Sequence, residues 1–368
     1  MSKDQCDRCV MDVSALEFVK EHKGCNFCNG AIEVLEKQRI LSDEDAMVRL
    51  EERVKSNKKS GAKYDCMIGL SGGVDSSYLA FLLKKYTSLN ILAVHVDAGW
   101  NSSISVENIN KICDLGIDLH VKVIDWDEMK NLQLAFFKAG VRNQDIPQDH
   151  AFFTHLYETA TRYGIKTFLS GSNLATESIL PVSWGHDALD STHIKDIYRK
   201  QIGQDIDRNK FRLLSFYERY VYYPRVIKLR VDKPLNCVDY NREDAIKILE
   251  QIGWKNYGDK HHESLFTRYF QSYYLYEKFG IDKRRAHLSS MIVSKQITRE
   301  EALTQLSNLP YNPRKIIFQE KYIAKKLDLS LSQYESLFRG KGSEHYEYKT
   351  STATRIGKKV KKVVNAFI

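Results

Sequence analysis

The stretch Tyr64-Asp65-Cys66-Met67-Ile68-Gly69-Leu70-Ser71-Gly72-Gly73-Val74-Asp75-Ser76-Ser77 decides the fold of this chain. Its first seven residues are mostly apolar and are bounded by polar sequence, which predicts a short buried strand. A glycine pair follows, and residues 74–83 then carry apolar side chains at helical spacing. The order strand, glycine turn, helix predicts the start of an α/β domain.

The turn in this stretch is suited to bind an anion. Its backbone N–H groups and a helix N-terminus would point at one spot, and Gly72 and Gly73 let an oxygen-rich group approach closely. The side chains that add hydroxyl donors or a carboxylate for a phosphate-bridging cation are Ser71, Ser76, Ser77 and Asp75. A glycine-rich turn without a ligand is the alternative interpretation.

This turn is not a Walker A loop, because no Gly-Lys-Ser/Thr follows the glycines. Its Ser-Gly-Gly-x-Asp-Ser order resembles the pyrophosphate loop of the PP-loop ATP pyrophosphatases. Members of that superfamily cleave ATP between the α and β phosphates and adenylate a carbonyl oxygen. The resemblance implies ATP and Mg²⁺ as cofactors, Ser71 and Asp75 as catalytic residues, and Asp75 as a magnesium ligand. The expected ATP contacts in the loop are Ser71, Gly72, Gly73, Val74, Asp75, Ser76 and Ser77.

Length and composition limit the classes of protein. The chain has 368 residues, of which 43% are hydrophobic and 28% charged, as in a globular protein with a full core. No apolar run is long enough to span a membrane, and the start has no signal-peptide pattern, which predicts a cytoplasmic protein. The net charge of +9 favours an anionic partner, and ATP with a nucleotide-linked substrate would account for it.

Four cysteines near the start form a C-x2-C-x15-C-x2-C array of Cys6, Cys9, Cys25 and Cys28. Two such pairs predict a structural Zn²⁺ site with four thiolate ligands. Disulfides do not suit a cytoplasmic protein, whereas an iron–sulfur cluster or a redox pair would use the same residues. The zinc site would contribute folding energy to a segment too short for its own core.

Further strands and helices alternate after the loop. The predicted strands are 90–97, 118–124, 166–170 and 226–231, with helices at 105–115 and 149–163. This βαβ rhythm predicts a doubly wound parallel sheet, in which ligands bind at the carboxyl ends of the strands. In PP-loop proteins the corresponding edge holds the adenosine, ribose and α-phosphate, which implies nucleotide contacts from Asp97, Gly171 and Asn173. Glu177 is the candidate second carboxylate for magnesium and catalysis.

The pattern divides the chain into three predicted parts. They are a four-cysteine zinc segment with a helix (1–60), a PP-loop ATP-binding domain (61–235) and a mainly helical substrate- or partner-binding region (236–368). The last part holds the polar run Gly258-Asp-Lys-His-His-Glu-Ser264 and, after it, Arg268. Adjacent histidines point apart on a regular helix or strand, so this run favours substrate or phosphate binding over zinc. The predicted substrate-binding residues are His261, His262, Glu263 and Arg268.

These features together resemble the N-acetyl sugar amidotransferases of WbpG type, from surface-polysaccharide and lipopolysaccharide O-antigen biosynthesis. The discriminating segments are residues 258–264 and Phe279-Gly-Ile-Asp-Lys-Arg-Arg285, followed by Ala286-His287-Leu288-Ser289-Ser290. The resemblance implies that an acetamido group on a nucleotide-linked sugar becomes an acetamidino group. Its carbonyl oxygen would attack the ATP α-phosphate, releasing pyrophosphate, and ammonia would then displace AMP.

The resemblance also implies partners. No glutaminase domain is evident in the sequence, so the family implies a separate glutaminase and a barrel subunit resembling those of imidazole glycerol phosphate synthase. A tRNA-modifying PP-loop enzyme of the thiolation or lysidine type is the rival interpretation. Against it, no Cys-x-x-Cys follows the core strands, and the cations are dispersed. A nucleotide-binding module that has lost catalysis is a third possibility, which the intact loop disfavours.

Overall fold

The computed structural model describes residues 4–258 and 263–351. Its centre is a five-stranded sheet in the order β5-β4-β3-β6-β7, with every neighbouring pair parallel. The strands of this sheet are β3 (Cys66–Gly69), β4 (Ile91–Asp97), β5 (Asp118–Val123), β6 (Thr167–Leu169) and β7 (Arg230–Asp232). β1 (Lys20–Glu21) and β2 (Gly24–Cys25) form a separate antiparallel hairpin.

The helices cover both faces of the sheet, which confirms the predicted doubly wound fold. Those before β7 are α1 (Asn26–Glu36), α2 (Asp43–Asn57), α3 (Val74–Tyr86), α4 (Ser103–Cys113), α5 (Trp126–Ala139), α6 (Ile146–Tyr163), α7 (Leu174–Glu177) and α8 (Ser191–Ile202). Those after it are α9 (Arg242–Gln251), α10 (Leu265–Tyr269), α11 (Leu275–Phe279), α12 (Arg284–Val293), α13 (Arg299–Leu306), α14 (Pro313–Lys326) and α15 (Leu331–Arg339). Polar side chains cap many of them; Ser102, for example, accepts from Ser105 N at the start of α4.

Two apolar layers hold the helices against the sheet. One contains buried residues of α2, α3, α4 and α9, such as Met47, Leu79 and Leu249. The other contains buried residues of α5, α6 and α8, such as Phe136 and Ile194. Since α9 follows β7 yet packs on α3, residues beyond 235 complete the core of the nucleotide-binding sheet. The three-part division predicted from the sequence stays a prediction.

The cysteine segment packs on the carboxyl-terminal helices. Val10 N donates to Ser289 Oγ at 3.1 Å, and the guanidinium of Arg285 donates to Val10 O at 2.8 Å. Arg299 donates to the backbone oxygens of Cys9 and Cys6, both at 3.1 Å. The first residues described in the chain are therefore held by α12 and α13.

The predicted strand 226–231 is wrong over most of its length. Residues Glu218–Ile227 form a π-helical turn, Lys228 has a left-handed φ of 58°, and β7 starts only at Arg230. The apolar residues in this segment fit either a strand or a helix. In the structure Tyr223 packs face to face on Tyr157 of α6, a contact that the local pattern does not show. This contact between distant parts of the chain favours the helical form. The alternation of apolar and polar residues alone did not indicate it.

Candidate functional site

The loop after β3 and the turn after β6 meet at the carboxyl edge of the sheet. β3 and β6 are neighbours, and the helices that follow β3 and precede β6 lie on opposite faces, so this is the topological switch point. A Cβ on Gly171 would lie 2.9 Å from Ser76 N, so only glycine fits where the turn crosses the start of α3. The structure thus brings Gly171 next to the loop, and its contact with the nucleotide stays a prediction.

Gly72 gives the loop a backbone conformation with positive φ, which other residues adopt only with strain. Its φ is +80°, and a Cβ here would overlap the backbone of Ser105. Its carbonyl oxygen accepts from Asn108 Nδ2 and from Trp254 Nε1, both at 3.2 Å. Helix α4 and the segment after α9 therefore fix the loop from one side.

The first N–H groups of α3 point into the loop. Gly73 N donates to Ser71 Oγ and Val74 N to Tyr257 OH, each at 3.2 Å. Both acceptors are neutral hydroxyl oxygens, and these N–H groups are the donors that an anion at a helix N-terminus would contact. The fully buried Ser77 Oγ has no hydrogen-bond partner within the described part of the chain.

Asp75 is oriented by a tyrosine that sequence reasoning missed. The hydroxyl of Tyr240 donates to Asp75 Oδ1. Burial and the nearby Asp75 charge raise the pKa of Tyr240 well above its usual value, so the hydroxyl stays protonated and remains a donor. Tyr240 directly precedes the α9 cap, and nothing in its local sequence marks it as part of the loop site.

Asp97 lies at the end of β4, where Gly99 N donates to its Oδ1 at 2.7 Å. Lys326 of α14 donates to Gly99 O, and its Nζ lies 4.5 Å from the Trp100 ring centroid and 4.4 Å from that of Trp126. Burial lowers the pKa of Lys326, while the charge of Asp97 opposes that shift. The carboxyl-terminal helices thus reach the edge assigned to adenosine.

Asn173 and Glu177 flank helix α7. Asn173 is buried, and its Oδ1 accepts from Thr176 N at 2.9 Å, so it serves as the cap of α7. Glu177 is the last residue of α7, and its charge acts on Lys283. Contacts of Asn173 with ribose and of Glu177 with magnesium stay predictions.

The carboxyl-terminal region contributes directly to the loop. Ser71 Oγ donates to Glu263 Oε1 at 3.3 Å, and Ser102 N donates to Glu263 O at 2.9 Å. Arg268 lies one turn farther along, on α10. The predicted substrate-binding residues His261 and His262 lie outside the described residues.

A second group of ionisable side chains lies beside this segment. Asp145 is buried, and its Oδ1 accepts from Gln148 Nε2 at 2.9 Å and from Thr267 Oγ1 at 3.2 Å. Burial and the Asp149 charge raise the pKa of Asp145 well above its usual value. Burial also raises the pKa of Asp149 to about 7 and lowers that of Lys283 to about 8. No pattern in the sequence singled these residues out, since acids at a helix start are common.

The four cysteines form a closed cluster. The Sγ atoms of Cys6 and Cys28 are 3.8 Å apart, and those of Cys9 and Cys25 are 3.7 Å apart. A tetrahedron with Zn–S bonds of about 2.3 Å has edges of about 3.8 Å, whereas a disulfide S–S bond measures about 2.05 Å. All four residues are fully buried, so the cluster fits a structural metal site with no open position.

Parts of the chain are similar to known proteins. Residues 263–361 match the model of the LPS biosynthesis protein WbpG-like C-terminal domain. The predicted resemblance is confirmed. That match includes Glu263 at the loop and Lys283 in the second group.

Two curated proteins are similar to parts of the chain. The tRNA-specific 2-thiouridylase MnmA 2 of Fusobacterium nucleatum is 31% identical over 121 residues, covering 30% of this chain and 34% of the relative. An uncharacterized protein of Methanocaldococcus jannaschii is 22% identical over 255 residues, covering 68% of this chain and 74% of the relative. The chain thus spans about a third of the first relative and about three quarters of the second.

Among solved structures, the NH3-dependent NAD synthetase from Campylobacter jejuni, in complex with the nitrate ion, is similar to this chain. The sequence identity is 15% and the TM-score 0.31, over 60% of this chain and 100% of the synthetase. Within the described residues, the helices are too short or too polar to cross a bilayer.

Proposed function

We propose that this protein is an ATP-dependent amidotransferase that converts an acetamido group of a nucleotide-linked sugar into an acetamidino group. The observation that carries the proposal is the contact between Ser71 of the pyrophosphate loop and Glu263, the first residue of the WbpG-like domain. This contact supports the proposal, because it joins the WbpG-like domain to the loop at which we propose that ATP is cleaved. The protein would act in the cytoplasm, in surface-polysaccharide or O-antigen biosynthesis.

The chemistry explains why a pyrophosphate loop is needed. An amide carbonyl oxygen is a very poor leaving group, so ammonia cannot displace it directly. When that oxygen attacks the α-phosphate of ATP, the P–O bond to pyrophosphate breaks and an O-adenylyl imidate forms. Prepositioned N–H groups and hydroxyls at Ser71–Ser77 would stabilise the charge on the departing pyrophosphate.

Mg²⁺ suits the donors at this edge. Magnesium usually binds proteins through one or two carboxylates together with substrate phosphates, and it would neutralise phosphate charge here. Asp75, oriented by Tyr240, lies in the first turn of α3, and Glu177 is the candidate second ligand. Across the described residues, the cysteine cluster is the only group of three or more side chains arranged for one metal ion. Phosphate oxygens would therefore complete the magnesium site.

The nitrogen would come from a separate glutaminase and its barrel subunit. Thiolation of tRNA is the second candidate function, favoured by the likeness to the 2-thiouridylase. Sulfur transfer needs a reactive thiolate, yet Cys66 in β3 is buried and burial raises its pKa. Cys113 and Cys237 are half-buried single thiols outside any Cys-x-x-Cys motif. Ammonia as the nucleophile requires no such cysteine.

The test is product analysis with purified protein, ATP, magnesium and an acetamido nucleotide sugar. AMP and pyrophosphate should form in a one-to-one ratio with amidine, and only when sugar and ammonium are both present. Glutamine should replace ammonium only after the glutaminase and barrel proteins are added. Formation of ADP and inorganic phosphate would contradict the proposal, and tRNA-dependent release of AMP would favour thiolation.

Zinc in the cysteine cluster is a separate expectation. Purified protein should contain about one zinc per chain. Cys25→Ser should lose the metal and lower the melting temperature, because the cluster fixes a segment with little core of its own. The control Cys113→Ser removes a half-buried thiol of α4 outside the cluster and should keep the zinc. Metal analysis without zinc, or an iron–sulfur absorption band, would contradict this assignment.

A further inference from the structure

The pyrophosphate loop of this structure holds a carboxylate of the protein itself. The hydroxyl of Ser71 donates to Glu263 Oε1 at 3.3 Å. A Cβ built on Gly73 would lie 3.1 Å from each of three oxygens, which are Glu263 Oε1, Ser71 Oγ and Tyr257 OH. Since Gly73 is the N-cap of α3, the half-buried carboxylate of Glu263 lies against the residue at which this helix begins.

Two hydroxyl groups lie between the backbone donors of the loop and this carboxylate. Gly73 N donates to Ser71 Oγ at 3.2 Å. Val74 N donates to Tyr257 OH at the same distance. Burial and the nearby Glu263 charge raise the pKa of Tyr257 well above its usual value, so this hydroxyl stays protonated. The N–H groups that would contact a phosphate at the start of α3 are thus bound to hydroxyls that surround the Glu263 carboxylate.

The backbone at Glu263 is held independently of its side chain. Ser102 N donates to Glu263 O at 2.9 Å, and Leu265 N donates to Trp100 O at 2.8 Å. These bonds fix residues 263–265 beside the segment that follows β4. Because a glutamate side chain is long and changes rotamer easily, its carboxylate can leave the loop while the backbone keeps its place.

A carboxylate in this position conflicts with a phosphate in the same loop. Like charges at short distance repel, and the repulsion is larger at a partly buried site than in water. The conflict ends if the carboxylate leaves or if Mg²⁺ joins it to the phosphate. The hydrogen bonds favour departure, because the Ser71 hydroxyl that binds Glu263 is one of the donors that a phosphate in the loop would use.

We propose that the Glu263 carboxylate competes with pyrophosphate for the loop, so that ATP displaces it on binding and its return helps pyrophosphate to leave. This inference rests on the proposed function, in which the loop binds the pyrophosphate part of ATP. No covalent bond to Glu263 forms or breaks. The Ser71 hydroxyl exchanges one acceptor, the carboxylate, for another, a phosphate oxygen. Glu263 would thus set the affinity of the loop and the release of pyrophosphate.

The competition is measured with inorganic pyrophosphate and magnesium, without ATP or sugar. Calorimetric titration of the purified full chain should show that Glu263→Gln binds pyrophosphate about 10-fold more tightly, or more, than the unmodified protein. A charge within about 4–6 Å changes an ionic equilibrium by about 10- to 10³-fold, and the amide keeps the size of the side chain without its charge. The control Glu107→Gln removes an exposed carboxylate of α4 that pairs with Lys255 at 2.7 Å, and should leave the affinity unchanged.

Steady-state kinetics separate competition from a purely structural role of the same contact. In Glu263→Gln the KM for ATP should fall, and inhibition by added pyrophosphate should become stronger by a similar factor. A structural role predicts the opposite, because loss of the hydrogen bond to Ser71 would loosen the loop and raise both the KM and the inhibition constant.

Unchanged or weaker binding of pyrophosphate by folded Glu263→Gln would overturn the inference, and weaker binding seen only with magnesium would make Glu263 a metal ligand instead. If Glu263→Gln does not fold, Glu263→Asp decides, because its shorter side chain withdraws the carboxylate from Ser71; equal or weaker binding there is decisive against competition. Absence of amidine with every acetamido sugar would refute the proposed function and leave the pyrophosphate titration unaffected, so the two failures are distinguishable.

Discussion

Asp75→Ala should lower turnover by about 10²- to 10³-fold, the usual cost of removing one prepositioned electrostatic group. The carboxylate lies in the first turn of α3 and is oriented by Tyr240, so it is fixed before ATP binds. ATP binding should weaken less, because the backbone N–H groups of the loop and the β4 edge remain. Steady-state rates with amidine as product, together with ATP dissociation constants, measure the two effects.

Tyr240→Phe separates the orientation of Asp75 from its charge. This variant keeps the carboxylate but removes the hydroxyl that holds it, so its loss of turnover should be smaller than that of Asp75→Ala. Asp75→Ala leaves a buried hydroxyl without its acceptor, which costs about 1–3 kcal/mol of stability, so rates must be compared below the melting temperature. Asp114→Ala, at an exposed carboxylate after α4, is the control. Unchanged turnover in Asp75→Ala would contradict the assigned role.

Gly72→Ala should lower turnover by roughly 10²-fold, as expected when a catalytic element is displaced by about 1 Å. It combines a strained φ of +80° with overlap between Cβ and the backbone of Ser105. Backbone strain of this kind costs about 1–3 kcal/mol, and the overlap adds to it. Thermal melting and turnover should therefore fall together.

Substitutions at two further glycines separate the effect of backbone strain from the effect of displacing the loop. Gly61 also has a positive φ, +76°, but a Cβ there meets nothing within 4 Å, so Gly61→Ala carries strain alone and should keep its activity. Gly171 has no positive φ, yet its Cβ would lie 2.9 Å from Ser76 N, so Gly171→Ala displaces the loop without backbone strain. Full activity in Gly171→Ala would show that the turn and the loop can separate without loss of catalysis.

Local sequence was sufficient to predict the parts of the site whose residues lie close together in the chain. Strand β3, the glycine turn and the start of α3 lie within residues 66–77, and the cysteine spacing indicated a cluster without further information. The residues that complete the loop site come from far along the chain: Tyr240, Tyr257 and Glu263. Only Glu263 belonged to a segment that the family resemblance had marked.

Sequence analysis also missed the second group of ionisable side chains. Asp145 and Asp149 have the spacing of an ordinary helix start, and Lys283 belongs to a run whose other charges form ion pairs. Their significance depends on which helices meet at the carboxyl edge, and this is fixed by tertiary packing. In the same way, Tyr223 of the π-helical segment packs on Tyr157, a contact between distant parts of the chain that local sequence does not reveal.

The docking of the cysteine segment on α12 and α13 implies an order of events during synthesis. Chains emerge from the ribosome with the N-terminus first, so all four thiols are exposed long before Ser289 and Arg299 have been made. During that interval a bound metal would keep the thiols from oxidation and mispairing. Cys28, the last cysteine of the cluster, precedes Arg299 by 271 residues, so the surface on which the cysteine segment packs is made much later. Early metal binding would thus protect the four cysteines until α12 and α13 have been made.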